Sequence, residues 1–190
     1  MRPLELTDAA GLAEAAAESR VHYGLTTVPT GRDEALAYIQ AALATKSRIS
    51  FAIELRGSLV GSTSYLDMQT WNWPAGCALQ RSDRPDVVEI GATWLAESVQ
   101  RTRCNTECKL LLLQHAFETW EVHRVCLRTD ARNERSRRAI ERLGSRFEGI
   151  RRADKPATDC TVRDSAFYSI IRAEWPEVKG RLTRLLASGG

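Results

Sequence analysis

Glu89 stands between Val88 and Ile90 in an otherwise apolar, strand-like run, Val87–Leu95. A carboxylate at such a position costs free energy unless it lines a polar cleft. Partial burial there raises its pKa toward that of a working proton acceptor. The competing reading is an edge glutamate paired with an arginine. Eleven residues after Glu89 comes a second reactive stretch, Gln100-Arg101-Thr102-Arg103-Cys104-Asn105. It is dense in hydrogen-bonding groups and leads into a helical pattern over Thr106–Trp120. Free N–H groups and the positive end of a helix dipole make such a loop a natural anion site. A solvated basic loop is the alternative.

These residues need a frame. Val87–Leu95, the polar loop, the helix and a strand-like run at Arg124–Thr129 follow one another in βαβ order, which predicts a parallel pair joined by a crossover. A helix over Asn133–Leu143 follows, with Asn133 and Ser136 at its cap and Gly144 as its stop. Before this unit, Leu4–Leu6 reads as a short strand and Thr7 as the cap of a first helix. A second helix opens at Thr30 and runs to about Ala44. Arg48–Arg56 and Leu59–Asp67 read as a hairpin turning at Gly57-Ser58, with Ile49, Phe51, Ile53 and Leu55 on one face. Met68–Asp86 has no periodicity and holds Trp71 and Trp73, which predicts a long inserted loop. Ser145–Arg152 and Val162–Ile171 read as strands, Glu174–Leu186 as a helix and Ala187–Gly190 as a frayed tail. The pattern is α+β within a single domain, 1–190.

Composition narrows the functions. Apolar residues make up 43% and charged residues 27% of the chain, and the net charge is +3, without the basic stripe of a nucleic-acid binder. Lysine occurs only at positions 46, 109, 155 and 179, so the positive charge is nearly all arginine. Arginine suits bidentate contact with phosphate or carboxylate, although a GC-rich genome produces the same bias. Cys77, Cys104, Cys108, Cys126 and Cys160 form no CxxC pair, which argues against a metal site and for a reducing, cytoplasmic setting. Cys126 reads as a small buried apolar residue and Cys104 as the more exposed thiol. Met1–Ser19 lacks the pattern of a signal peptide. No stretch approaches the length of a membrane span.

The order Val88-Glu89-Ile90-Gly91, Gln100–Asn105, Asn133-Glu134-Arg135-Ser136, Leu143-Gly144, Phe147-Glu148-Gly149, Arg152, Asp164 and Tyr168-Ser169 followed by Glu174-Trp175 resembles the GNAT superfamily of N-acyltransferases, in its RimJ/RimL-like branch. The resemblance covers the chain apart from Met68–Asp86. It implies a mixed, splayed central sheet flanked by helices, with a V-shaped acyl-CoA cleft between two central strands. It implies acetyl-CoA or another acyl-CoA as co-substrate, held by Gln100, Arg101, Thr102, Arg103, Cys104, Asn105 and Thr106 at the diphosphate. Thr93 stands at the strand bulge that holds the thioester carbonyl, with Trp94 and Leu95 along the pantetheine arm. Asn133 and Ser136 lie farther along that arm. Glu89 takes the place of the base that deprotonates the amine.

Two positions depart from the family pattern. Arg103 and Asn105 replace loop glycines, and a side chain at Arg103 restricts the backbone while offering a cation to phosphate. Ile140 stands where many relatives carry the tyrosine that protonates the leaving thiolate. The proton donor is therefore unassigned, with Tyr168, Ser136 or solvent as candidates. The resemblance points to Tyr23, Trp71, Trp73, Asp164 and Tyr168 on the acceptor side. The tryptophans form either a lid or partner surface, or a patch on the domain's own core. The acceptor is a small-molecule amine or a protein N-terminus. An acyl carrier protein as donor, a non-catalytic thioester-binding module and a homodimer all stay open.

Overall fold

A computed structural model describes residues 1–188. Seven strands form one sheet in the order β1-β2-β3-β4-β5-β7-β6. They are β1 (Arg2–Pro3), β2 (Ile49–Leu55), β3 (Ser58–Gln69), β4 (Val87–Leu95), β5 (Arg124–Asp130), β6 (Arg146–Pro156) and β7 (Val162–Ile171). Only β4 and β5 are parallel neighbours. Five helices pack on the sheet: α1 (Ala9–Ala17), α2 (Gly31–Ala44), α3 (Cys104–Gln114), α4 (Glu134–Arg142) and α5 (Trp175–Ala187). The outer part of the expected tail, 189–190, lies outside the described residues, and Ala187 belongs to α5.

Local chemistry explains most boundaries. The β2–β3 turn centres on Arg56 (φ 52°) and Gly57 (φ 85°), one residue earlier than expected. Two positive φ values are what a two-residue hairpin loop needs to match strand twist. Asn133 caps α4 by accepting from the Ser136 amide at 3.0 Å, and Gly144 at φ 100° ends it. α5 opens with Pro176 in its first turn, where a missing N–H costs nothing.

The amino-terminal expectations are corrected. Leu6–Asp8 form a 3-10 turn, and the first strand is Arg2–Pro3. Asp8, not Thr7, organises the turn: its carboxylate accepts from the Glu5 amide at 2.9 Å and from Arg2 at 2.6 and 2.9 Å. On β2 the alternating face buries Ile53, while Ile49 and Leu55 at the strand ends are exposed. The insertion begins after Gln69, since β3 runs further than the alternation suggested.

Two apolar clusters hold the sheet. One packs α1 and α2 against Ala52, Ile53, Val60, Trp94 and Leu95. The other packs α3, α4 and α5 against Val88, Ile90, Val125, Leu127, Tyr168 and Ile170. Strand side chains alternate between faces. Glu89 and Cys126 therefore face away from the second cluster.

Candidate active site

β4 and β5 pair only over Val87↔Arg124, Val88↔Val125 and Glu89↔Cys126. Beyond Glu89 the two strands part. A cavity of about 730 Å³ lies on the face bearing Glu89, lined by Asp67, Trp71, Cys126, Arg128, Glu148 and Phe167 among others. Glu89 is buried yet opens to it. The Arg128 Nε lies 2.8 Å from the Glu89 carboxylate as an ion pair without hydrogen-bond alignment. A second Arg128 nitrogen lies 2.6 Å from Asp67. Burial raises the Glu89 pKa, and Arg128 offsets part of that rise. Glu89 thus pairs with an arginine, but from a central strand and not an edge, and it lines a cleft.

Gly91 makes room for this carboxylate. A Cβ there would stand 2.8 Å from Glu89 Oε1 and 2.8 Å from Leu66 Cδ1. Just beyond, the β3–β4 register passes from Ser64↔Gly91 to Ser62↔Trp94. Ala92 and Thr93 therefore stand opposite Thr63 alone, a β-bulge, with Ala92 at φ 47°. Bulges bend a strand and re-aim its groups. This one lies at the start of the gap between β4 and β5.

The polar loop closes on the same strand. Gln100 donates to the Leu95 carbonyl at 2.8 Å and accepts from Arg135 at 2.6 Å. Thr102 donates to the Val99 carbonyl at 2.7 Å and accepts from the Cys104 amide at 3.2 Å. α3 begins at Cys104, so Cys104, Asn105 and Thr106 form its first turn, two residues earlier than the sequence suggested. That turn presents amides without helical partners. Arg103 has ordinary right-handed dihedrals, so replacing glycine there costs no backbone strain. The left-handed residue is Arg101, at φ 62°. Thr106 is buried and accepts from Arg142 at 3.3 Å. The Cys104 thiol is drawn below its usual range by a hydrogen bond from Cys108.

Several predicted contacts are placed elsewhere. The Trp94 and Leu95 side chains are buried in the first cluster, which leaves only their backbone to a ligand. The Leu95 carbonyl is already taken by Gln100 and by the Tyr23 hydroxyl at 2.7 Å. Tyr23 is buried and packs edge-on against Trp94, so it does not line the Glu89 cavity. Tyr168 faces the second cluster, and its hydroxyl is held by Arg137 at 3.0 Å and Glu141 at 2.8 Å. It is neither at the cavity nor free to donate a proton. Asp164 accepts from the Ala153 amide at 2.8 Å and shapes the β6–β7 irregularity. Cys126 is half-buried at the cavity wall rather than in the core.

The insertion folds back on the cavity rim. The buried Asp86 carboxylate accepts from the Trp71 amide at 2.7 Å and from the Trp73 indole at 3.2 Å. The Trp71 ring stacks on His123 with 7° between planes. Arg81 and Arg84 reach Glu121 at 3.0 and 2.8 Å. Of the two indoles, only Trp71 lines the cavity. The two tryptophans should therefore separate experimentally. Trp73→Ala leaves buried Asp86 short of a donor and should cost about 1–3 kcal/mol, read as a lower Tm. Trp71→Ala should leave Tm nearly unchanged and weaken acceptor binding several-fold, read in KM.

Sequence reasoning missed Arg128, Arg124, Glu148 and Lys109. The signal for the first two was present: Arg124, Cys126 and Arg128 recur with period two in a strand whose other face is Val125 and Leu127. A polar row on a central strand marks a cleft.

A mixed sheet whose one parallel pair splays beside a bulge, with a polar loop at the head of the crossover helix, is the architecture of an acetyltransferase. The chain belongs to the GNAT acetyltransferase family: the family described as "Acetyltransferase (GNAT) domain" matches residues 1–146. A GCN5-related N-acetyltransferase from Brucella melitensis superposes with a TM-score of 0.81 at 26% identity, covering 98% of this chain and 81% of that one. RimJ of Mycobacterium smegmatis, solved in complex with CoA-disulfide, shares the fold at TM-score 0.76 and 21% identity, covering 97% and 87%. YdaF of Bacillus subtilis (strain 168), provisionally named a ribosomal N-acetyltransferase, is 33% identical over 87 residues, 46% of each protein. The chain thus aligns with about half the length of that curated relative.

Proposed function

We propose that this acetyltransferase moves an acetyl or other short acyl group from a CoA thioester to a primary amine by direct attack. One observation carries the reading. Glu89 is a buried carboxylate with a raised pKa that opens onto a cavity where β4 and β5 part. Such a group can take the proton that an incoming ammonium must lose before its nitrogen attacks. Thr93 and the bulge lie four residues along the same strand, where backbone amides would hold the thioester carbonyl. Amides of Arg101–Thr106 at the head of α3, with Arg103 beside them, would take the diphosphate. Asn133 already caps α4, and Ser136 lies in the same first turn. Both would meet the pantetheine arm from the β5 side.

The acceptor enters on the other face, past Trp71 and between Asp67, Glu89 and Glu148. Arg124, Arg128 and Arg151 line the same cavity, and the first two pair with these carboxylates, so the charge there is balanced and recognition of the amine rests on the Glu89 carboxylate itself. The ribosomal N-acetyltransferase name of YdaF supports a protein amine, such as an N-terminus, as one acceptor class. The indole of Trp71 at the cavity rim supports a small amine as the other. Five free cysteines suit the reducing cytoplasm, where CoA thioesters and amines meet.

The test is thiol release. Acetyl-CoA is offered with a panel containing small polyamines, amino sugars and N-terminal peptides. Amine-dependent release with acetyl-CoA supports the reading and names the acceptor class. Turnover only with an acylated carrier protein replaces the donor. Tight CoA binding with no release from any amine overturns catalysis.

A further inference from the structure

Lys109 is the one lysine buried among the described residues. It projects from α3 to the bulge on β4. Its Nζ lies 2.6 Å from Thr93 Oγ1 and 3.5 Å from Thr63 Oγ1. The two hydroxyls are 2.7 Å apart, and Thr93 Oγ1 is also 3.3 Å from the Gly91 carbonyl. Hydroxyls are thus its hydrogen-bond partners. A buried ammonium without a bonded carboxylate is costly, and an apolar side chain of similar length would fill the same space. Something other than packing accounts for it.

Its surroundings suit a proton store. Burial pushes the Lys109 pKa down to about 8, against the pull of Cys108 on its own helix and Glu89 on β4. β3 contributes the Thr63 hydroxyl, and β4 contributes that of Thr93. Thr93 is half-buried, so its hydroxyl joins the interior lysine to the open side of the bulge. A pKa near that of a thiol makes proton exchange between the two nearly thermoneutral, which is the favourable condition for general acid catalysis.

On the reading proposed above, the thioester lies against this bulge, and its sulfur needs a proton as it departs. Ile140 is buried and cannot provide one; the Tyr168 hydroxyl is held by Arg137 and Glu141. We propose that Lys109 supplies the proton for the leaving thiolate through the Thr93 hydroxyl. As the carbon–sulfur bond breaks, its electron pair goes to sulfur. The Thr93 hydroxyl proton passes to sulfur, forming S–H, and a Lys109 proton passes to Thr93 Oγ1. Lys109 ends as a neutral amine and is recharged by the second proton of the acceptor nitrogen, the first having gone to Glu89 before attack. Thr93 touches the reacting atoms; Lys109 acts through it and is a positioning residue.

Two measurements test this. The first needs no turnover: the Lys109 ε-carbon is followed by NMR across pH in the free protein, with CoA and with desulfo-CoA. A midpoint near pH 8 that shifts with CoA but not with desulfo-CoA supports the relay. Identical titrations with both ligands overturn it. The second compares kcat–pH profiles. Wild type should lose rate above about pH 8 as Lys109 deprotonates. Lys109→Met should fold with an unchanged or higher Tm, lack that alkaline limb and fall about 10²- to 10⁴-fold at neutral pH. Thr93→Val should lose the rate, and Thr93→Ser, which restores a hydroxyl, should recover part of it. Lys109→Met with normal rate and the limb intact overturns the relay while leaving the transferase reading in place. A wild-type protein that binds CoA yet releases no thiol with any amine defeats both.

Discussion

Glu89→Gln lowers amine-dependent release of CoA by about 10²- to 10⁴-fold, the range of a positioned general base, or about 3–5 kcal/mol of barrier. The substitution keeps shape and volume. Arg128 retains Asp67 at 2.6 Å, so Tm should stay within a few degrees. The pH response carries the sharper signature. Only the ionised carboxylate accepts a proton, and burial holds Glu89 above the ordinary glutamate range. Wild-type kcat/KM should therefore climb as pH rises through that raised value, and Glu89→Gln should lack this climb. The stability linkage has the opposite sign. A raised pKa means that the folded chain binds the proton more tightly than the unfolded one. Ionised Glu89 thus costs stability, fully above its raised pKa and not at all below the ordinary glutamate range. A variant that keeps both rate and acid limb would remove Glu89 from the chemistry.

Gly61→Ala should be the most damaging single methyl in the sheet. Gly61 pairs with Leu95 across β3 and β4, at φ 153°. A Cβ there would stand 2.2 Å from the Trp94 carbonyl oxygen and 3.0 Å from Leu95 Cα. Both are backbone atoms in a strand, so neither can step aside as a side-chain tip would. Relief requires β3 and β4 to separate next to the bulge. Overpacking and backbone strain each cost about 1–3 kcal/mol. A combined loss of about 3 kcal/mol corresponds to about 6–12 °C in Tm for a chain of this length. Calorimetry decides it: a change under about 2 °C would mean that the strands yield more easily than their register implies. Gly149→Ala separates the two contributions, because at φ 144° with nothing within 4 Å of its Cβ it carries the backbone strain without the clash.

How much of this was legible beforehand depended on how many residues carried each signal. β4 was readable to the residue, Val87–Leu95, because a mostly apolar run is bounded by Pro85-Asp86 before and Ala96-Glu97 after. Glu89 stood out within it as the only charge. α3 was placed two residues late, because Arg103 and Cys104 look like loop while adopting helical dihedrals. The bulge was anticipated at Thr93 from the family resemblance, but Ala92 gives no sign of its positive φ. Tyr23 and Tyr168 were misassigned because an aromatic hydroxyl that caps a carbonyl or meets an Arg–Glu pair has the same sequence signature as one that meets a ligand. Lys109 was legible in part: a cation three and four residues before Leu112 and Leu113 shares their inward face. What it would meet there depended on a strand 16 positions earlier, which no local pattern encodes.

The segment between Gln69 and Val87 is fastened at both ends to neighbouring strands, and through Asp86, Glu121 and His123 to the ground beneath it. It touches the cavity at Trp71 but contributes nothing to the bulge, the α3 head or Asn133. On the proposed reading, this segment shapes one rim of the acceptor cavity and stands apart from the thioester end. Exchanging that one segment between relatives would therefore recut the cavity rim at Trp71 while leaving the bulge and the head of α3 as they are.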